Sequence, residues 1–431
     1  MTALSSNEPL LDARLKGIPG GTAPFALDAI GEKRWNLLRE DLPLPAAILR
    51  ESALEHNSEW MQRFVAMSGA VLCPHGKTTM SPDLFKRQLS DGAWGITLSN
   101  ASQLQVARAF GIRRVLLANQ LVGRQAIRYV LDELAHDPGF DFYCLVDSVE
   151  GVDMLARAAR ERAIGRPLQV LLEGGFAGGR TGCRNLADGL AVGRAVKAAE
   201  PHLALRGIEG FEGILGFRDP GTSEPAVHSL LEFLTSLAVA CARENLFGEG
   251  PVILTAGGST FYDMVMEQFR SAAVPREVHV VVRSGCYLTH DSHSFKDSFA
   301  RLLERSAGAK SLGEGLRPAL EVWSYVQSQP EPNRAFLTMG KRDCSYDMGL
   351  PMPFKWFRPG LHQEPVELQG HTISMLNDQH AYLDLPAGSP LKVGDMVASG
   401  ISHPCTTFDK WRLLLVVNDE YDVVSAVRTF F

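Results

Sequence analysis

Four short stretches of the chain hold residue types that could do chemistry, and each has a plainer reading beside the chemical one. PHGKTTM, residues 74–80, puts Lys77 just after an apolar run. Its GKT resembles the end of a phosphate-binding P-loop, but that loop requires a glycine five positions before its second glycine, and Val71 stands there. The nucleotide reading fails. Lys77 is then either a solvated surface residue or, with its pKa lowered, an amine able to form a Schiff base. TAGGST, residues 255–260, sets Gly257 beside Gly258, so the backbone can approach a ligand closely, and adds the hydroxyls of Ser259 and Thr260. A helix starting near Phe261 would complete an anion site with its N–H groups; a turn with a Ser/Thr N-cap is the plain alternative. SGCY, residues 284–287, could add further N–H donors. GGFAGGRTGCR, residues 174–184, holds Arg180 among glycines, which suits either a flexible lid or a guanidinium paired with an oxyanion. In SHPCTTFDKW, residues 402–411, His403 and Cys405 stand at i and i+2, on one face of an extended segment. Imidazole plus thiolate is a natural zinc pair, and open positions would mark a catalytic site. Two ligands are fewer than zinc needs, so His380 is a candidate third. The HDSH run at 290–293 is a competing cluster, ranked lower because its spacing equally suits a solvated turn.

These residues need elements to position them. Short apolar runs occur at 70–74, 95–99, 114–118, 142–146, 168–172, 208–214, 252–256 and 278–282, with helix-like intervals such as VEGVDMLARAARERA between them. Strands alternating with helices imply right-handed βαβ units and a parallel sheet. Eight units are what a closed (β/α)8 barrel needs; a doubly wound sheet is the alternative that periodicity leaves open. Lys77, Arg180, the TAGGST loop and SGCY follow the first, fifth, seventh and eighth runs, on the face where barrels carry their active sites. After about residue 285, β-like runs separated by Gly- and Pro-rich turns predict an antiparallel β domain. The expected division is a barrel over 46–284 and a β domain over 285–431, joined by the Pro/Gly-punctuated residues 1–45.

Composition limits the function. The 431 residues are 45% hydrophobic and 21% charged, with 43 basic and 49 acidic side chains, a net −6 that gives no footprint for nucleic acid. The longest purely aliphatic run is Leu413 to Val417, and the first residues lack an apolar signal core. Seven scattered cysteines without a CxxC pair point to reduced thiols. The expectation is a cytoplasmic protein that binds neither nucleic acid nor membrane.

Taken in order, PHGKT, GGRTG, TAGGST, GCY and HPCTTFDKW resemble the D-threonine aldolase/D-serine dehydratase family over roughly residues 40–431. The resemblance implies an alanine racemase-like TIM barrel that uses pyridoxal 5′-phosphate (PLP). It implies that Lys77 carries the cofactor, that Arg180 lies near its phenolic oxygen, and that Gly257, Gly258 and Ser259, with Cys286 and Tyr287, hold its phosphate. His403 and Cys405 would bind zinc or another divalent metal beside the substrate. Dehydratase-like members resemble this His-x-Cys pair, whereas aldolases more typically carry His-x-Asp. The resemblance therefore implies elimination of water from a β-hydroxy D-amino acid such as D-serine, giving a 2-oxo acid and ammonia. Metal-dependent aldol cleavage is the alternative. A non-catalytic PLP carrier is a third reading, disfavoured by the β domain. Relatives commonly form homodimers. Phe211 departs from the pattern, standing where relatives often have Tyr, so the partner of the pyridine nitrogen is open.

Overall fold

The computed structural model describes residues 10–217 and 220–431; residues 1–9, expected to join the β domain, lie outside the described residues. The chain opens its regular structure with β1 (Ala46–Arg50) and then builds eight parallel strands. They are β2 (Val71–Leu72), β3 (Ile96–Leu98), β4 (Arg114–Gln120), β5 (Asp141–Val146), β6 (Leu168–Gly174), β7 (Leu203–Gly210), β8 (Val252–Ala256) and β9 (Val278–Val282). Hydrogen bonds run in the order β2-β9-β8-β7-β6-β5-β4-β3. The ends meet: His75 bridges Thr97 in parallel, the Trp94 N–H donates to the Leu72 carbonyl at 2.7 Å, and the Thr97 N–H to that of Pro74 at 2.8 Å. That closure makes the sheet a barrel and decides against a doubly wound one.

Side chains alternate across the barrel wall, as the two-residue period of a strand requires. Leu116, Leu145, Leu171, Ile253 and Val281 fill the interior, while Val115, Leu117, Val170, Leu172 and Leu254 pack outward against the helices. Strands buried on both faces read as unbroken apolar runs, which is why all eight stand out in the sequence. The sixth of them ends at Gly210, earlier than the expected 208–214, because the chain turns there into the 3-10 turn Gly213–Phe217. The segment Ser223–Arg243 is long and apolar enough to cross a membrane by length and composition. It is part of the barrel's helical shell, with Val227, Leu231, Leu234, Leu237 and Ala238 fully buried.

The second sheet is mainly antiparallel. Its strands are β10 (Leu320–Glu331), β11 (Arg334–Leu337), β12 (Met352–Phe357), β13 (Val366–Glu367), β14 (Thr372–Leu376), β15 (Ala381–Asp384), β16 (Met396–Gly400), β17 (Leu413–Val417) and β18 (Val423–Arg428). The main path runs β13-β12-β16-β10-β1-β17-β18. Two stretches depart from the expected division. Residues 46–50, expected at the start of the barrel, form β1, which pairs antiparallel with β10 (Ala46 opposite Trp323) and parallel with β17 (Ile48 opposite Leu415). An isolated five-residue apolar strand carries no mark of which sheet it joins. Residues after 285, expected to open the β domain, first form the helices Ser294–Arg305 and Ala307–Ser311. Phe295, Phe299, Leu302 and Leu303 give the first of these its apolar stripe, and Phe299 meets Trp60 of the helix Glu51–Ser68 edge-on at 5.1 Å. Before β1, Leu11, Ile18, Phe25, Ile30 and Leu37 pack with Trp323, Leu413 and Leu415 of the second sheet.

Candidate functional site

Lys77 lies in the 3-10 turn Gly76–Thr78 at the C-terminal end of β2, half-buried. A helix Pro82–Ser90 follows, its first turn capped by Ser81, which accepts from the Leu84 N–H, with Pro at the first helical position. Among the described residues the Lys77 ammonium makes no hydrogen bond or ion pair. The neighbouring His75 is held well below its ordinary pKa by burial first, then by the charges of Lys77, Arg283 and Arg180; its Nδ1 is buried without a partner. Lys77 and Arg180 thus face one end of the barrel, which favours an anionic ligand there.

Beneath them lies a buried charged layer that the sequence reading did not single out. Arg283, just past β9, bonds Glu209 near the end of β7 at 2.5 Å, Thr255 Oγ1 at 3.2 Å and the Gly210 carbonyl at 3.0 Å. Burial pushes the Glu209 carboxyl up, with the Arg283 charge pulling the other way. Glu173, near the end of β6, accepts from Gln120 Nε2 at 2.5 Å and Thr181 Oγ1 at 2.6 Å. Burial raises its pKa too, against those two bonds. The signal was present for two of them: Glu173 and Arg283 directly follow apolar runs, where a barrel turns toward its active face.

Glu173 and Asp147 fix the Arg180 loop. Thr181 is bound to Glu173, and the Gly182 N–H donates to Asp147 Oδ2 at 3.0 Å. The Arg180 guanidinium carbon stands 4.3 Å over the ring of Phe211, a cation–π contact that leaves its N–H groups at the mouth.

The TAGGST loop closes the opposite wall. Gly257 has φ +130°, and a Cβ there would come within 3.1 Å of the Arg283 nitrogen, so only glycine fits. The Gly258 N–H donates to Glu212 Oε1 at 2.8 Å. Glu212 is fully buried and its Oε2 has no partner. Ser259 Oγ accepts from the Cys286 N–H at 3.2 Å and from Ser284 Oγ at 3.3 Å, joining this loop to SGCY. The helix Tyr262–Arg270 begins close to the expected position. A Cβ on Gly285 would strike His75 and Thr78 at 2.7 Å, so SGCY presses directly on the lysine turn. Gly257, Gly258, Ser259 and Cys286 are therefore brought together. Tyr287 is placed otherwise: its ring is buried, and its hydroxyl accepts from Gln88 Nε2 at 3.4 Å in the helix Pro82–Ser90. Its apolar body fills core space there, so its side chain takes no part in the cup.

His403 and Cys405 meet this wall from the β domain. The segment is not extended as expected: Pro404 is αR and Cys405 starts the one-turn helix Cys405–Phe408. The pair still adjoins closely enough for each group to favour the charged form of the other. His403 Nδ1 lies 2.7 Å from Asp347 Oδ2, and Thr406 Oγ1 donates to Asp347 Oδ1 at 2.7 Å. Burial lowers the His403 pKa, but Cys405 and Asp347 outweigh it and raise it to about 9. The Cys405 thiol is held well below its ordinary pKa by Cys286 and then His403, with burial opposing; Cys286 is correspondingly raised by Cys405 and by burial. Cys405 Sγ is 3.6 Å from Thr78 Oγ1, one residue from Lys77. Asp347 was not legible as part of this group, since nothing in its own sequence context marks it.

Among the described residues no three His, Cys, Asp or Glu side chains converge as a metal cluster, and His380 is exposed elsewhere. The pair nonetheless suits a metal: a thiol inclined to ionise, an imidazole with Nε2 left over, and a carboxylate orienting the ring from behind. The HDSH run serves structure. His290 is buried edge-on against Phe299 at 5.7 Å, with burial lowering its pKa to about 4. Asp291 accepts the N–H groups of His293, Phe295 and Lys296 at 2.9–3.2 Å, at the start of a helix.

Comparison with known proteins agrees with this architecture. The family described as "Putative serine dehydratase domain" matches residues 319–417. The 3-hydroxy-D-aspartate aldolase of Paracoccus denitrificans (strain Pd 1222) is 26% identical over 73% of this chain and 76% of its own. The D-threonine aldolase of an Arthrobacter species is 23% identical over 87% of this chain and 89% of its own. Among solved structures, D-threonine aldolase from Filomicrobium marinum superposes with a TM-score of 0.74 at 22% identity, over 90% of this chain and 95% of that one. D-threo-3-hydroxyaspartate dehydratase from Delftia sp. HT23 gives 0.70 at 21% identity, over 92% and 99%. That dehydratase is also known as a His-to-Ala variant and as a Cys-to-Ala variant two residues further on, the latter in a metal-free form. An alanine racemase-like protein from Idiomarina loihiensis gives 0.67 at 15% identity, over 90% and 96%. With a closed eight-stranded barrel joined to an antiparallel sheet, the chain has an alanine racemase-like fold and is similar over most of its length to D-threonine and 3-hydroxy-D-aspartate aldolases.

Proposed function

We propose that this protein is a PLP-dependent lyase of β-hydroxy D-amino acids that removes water and ammonia to leave a 2-oxo acid. The observation that carries the reading is the contact at Thr78: the turn bearing Lys77 touches Cys405 of the β domain. An amine and a metal-suited His-Cys pair thereby face one mouth. The residues fit a phosphorylated aldehyde. Lys77 is unpaired and would hold the aldehyde carbon. Arg180 would face its ring oxygen, and the tight turn at Gly257–Ser259, with the backbone of Cys286, would receive the phosphate. When bound, PLP supplies an electron sink for charge developing at the substrate Cα. His403 and Cys405 would hold a divalent metal, which supplies Lewis acidity toward a β-hydroxyl; soft thiolate favours zinc.

The chain's own groups have defined tasks. Lys77, the amine at the mouth, would take the α-proton. Arg180 would keep anionic groups at the mouth, while the buried Glu209 offsets the charge of Arg283 below it. Asp347 orients His403 through Nδ1, so Nε2 faces the site. Cys405 favours the dehydratase reading, as does the Delftia dehydratase, whose altered His and Cys share the i, i+2 spacing of His403 and Cys405. The aldolase reading keeps support from the two aldolases that match this chain over 73% and 87% of its length. Product analysis decides. Protein loaded with PLP and zinc is given D-serine, D-threonine and D-threo-3-hydroxyaspartate separately. A 2-oxo acid with ammonia is expected; glycine with an aldehyde would establish the aldolase instead.

A further inference from the structure

We infer that Cys286 and Cys405 form a redox-responsive thiol pair, closed into a disulfide by a peroxide. Their sulfurs lie 4.0 Å apart although 119 residues separate them in the chain. All seven cysteines are free thiols, and among the described residues no other two sulfurs come within hydrogen-bonding distance. Thr78 Oγ1 touches both, at 3.9 Å from Cys286 and 3.6 Å from Cys405, and keeps them facing one another. The two differ in burial: Cys286 is buried, whereas Cys405 is only partly buried, at the start of its short helix. A cysteine poised next to a resolving cysteine is the arrangement of redox-sensing thiols. A disulfide needs about 2.05 Å, so the sulfurs must approach by about 2 Å.

The chemistry balances with the peroxide as oxidant. The Cys405 sulfur attacks the O–O bond of hydrogen peroxide, becoming a sulfenic acid and releasing one water. The Cys286 sulfur then attacks the Cys405 sulfur, the S–O bond breaks, and a second water leaves. Two thiols have lost two electrons and two protons, and the peroxide has become two waters. The consequence rests on the reading above of Cys405 as a metal ligand. A disulfide sulfur carries no thiolate charge, so the oxidised protein cannot hold the metal, and a metal already bound shields Cys405.

The test uses full-length protein freed of metal by chelation and treated with equimolar hydrogen peroxide. Thiols counted in denaturant should fall from seven to five. Peptide mapping should give one linked pair, Cys286 with Cys405, reversed by dithiothreitol. Zinc uptake should be lost on oxidation and regained on reduction. Cys344→Ala, altered at a buried cysteine away from the pair, should still form the bridge, whereas Cys286→Ser should not. Seven surviving thiols, or a link through other cysteines such as Cys183 and Cys241, overturn the pair. Equal zinc uptake by oxidised and reduced protein overturns the switch. Reduced protein that takes up no zinc overturns the metal reading and the switch with it, while the thiol count together with the peptide map decides the pair.

Discussion

Replacing Arg305 by Met probes how the anion-binding wall is held. Arg305 ends the helix Ser294–Arg305 and forks onto Asp263 at 2.7 and 2.8 Å, while the same guanidinium reaches the Thr260 carbonyl at 2.9 Å and Glu224 at 3.1 Å. The side chains are 17% and 7% exposed for Arg305 and Asp263. Burial already raises the Asp263 pKa, with Arg305 pulling it down. Met keeps the aliphatic stem but removes the cation, so Asp263 is stranded and takes up a proton rather than remain charged. In the unfolded chain Asp titrates near 3.8. Holding that proton at pH 7 therefore costs at most about 4.4 kcal/mol, from about 1.36 kcal/mol per pH unit over about 3.2 units. At pH 5.5 the ceiling falls to about 2.3 kcal/mol. The sign follows from a folded pKa above the unfolded one: stability is fully present below about 3.8 and is lost as pH rises through the folded value. Loss of the bond to Thr260 adds a part that does not vary with pH, about 1–3 kcal/mol for a buried acceptor left unpaired. Urea unfolding followed by tryptophan fluorescence at the two pH values measures the gap between wild type and variant. The gap should narrow by up to about 2 kcal/mol on going from pH 7 to 5.5. Adding Asp263→Asn should abolish that narrowing. A gap equal at both pH values would refute the reasoning, since a merely misfitted Met has no proton to exchange.

Other perturbations separate the proposed roles. Lys77→Ala should abolish the visible absorbance of PLP-loaded protein, and a retained band would remove Lys77 from its role. Cys405→Ala should lower zinc content and activity together; full activity after complete metal removal would dismiss the metal. Asp347→Asn should weaken zinc binding by about 10–100-fold in equilibrium dialysis while the far-ultraviolet circular dichroism stays unchanged, as expected of a group that orients a ligand from behind. His290→Ala should leave zinc content unchanged, because His290 packs on Phe299; loss of zinc there would move the metal to the wrong cluster for the present assignment.

What could be read from the sequence divides along physical lines. The eight barrel strands stood out because burial on both faces leaves them continuously apolar, and the (β/α)8 fold was legible from them. The turns with Lys77, Arg180 and Gly257 were also legible as neighbours at one end of the barrel, because each interrupts a strand-to-helix transition with residues that ordinary turns do not require. Strand β1 was misplaced, since Ala46–Arg50 has the same apolar texture as a barrel strand and its partners Trp323 and Leu415 lie far along the chain. The ring of Tyr287 follows the core, which leaves its expected phosphate role to the backbone. The Arg283–Glu209 pair is visible only when two charges near the ends of separate strands are imagined side by side in a closed barrel.

The same limit explains why the candidate site lies at a joint. Thr78 and Cys405 are 327 residues apart, and His403 finds Asp347 across 56. Neither distance is encoded locally; both follow from how the second sheet is assembled. Strand β1, from before the barrel, sits between β10 and β17, from after it. The barrel is thus held by both of its chain ends on one sheet, and the loop with His403 and Cys405 joins β16 of that sheet to β17, which pairs with β1. Tying the sheet to both ends restricts rotation between the two bodies far more than a single linker would. Metal-suited residues on an irregular segment can then face a lysine on another body, because the scaffold beneath both is continuous.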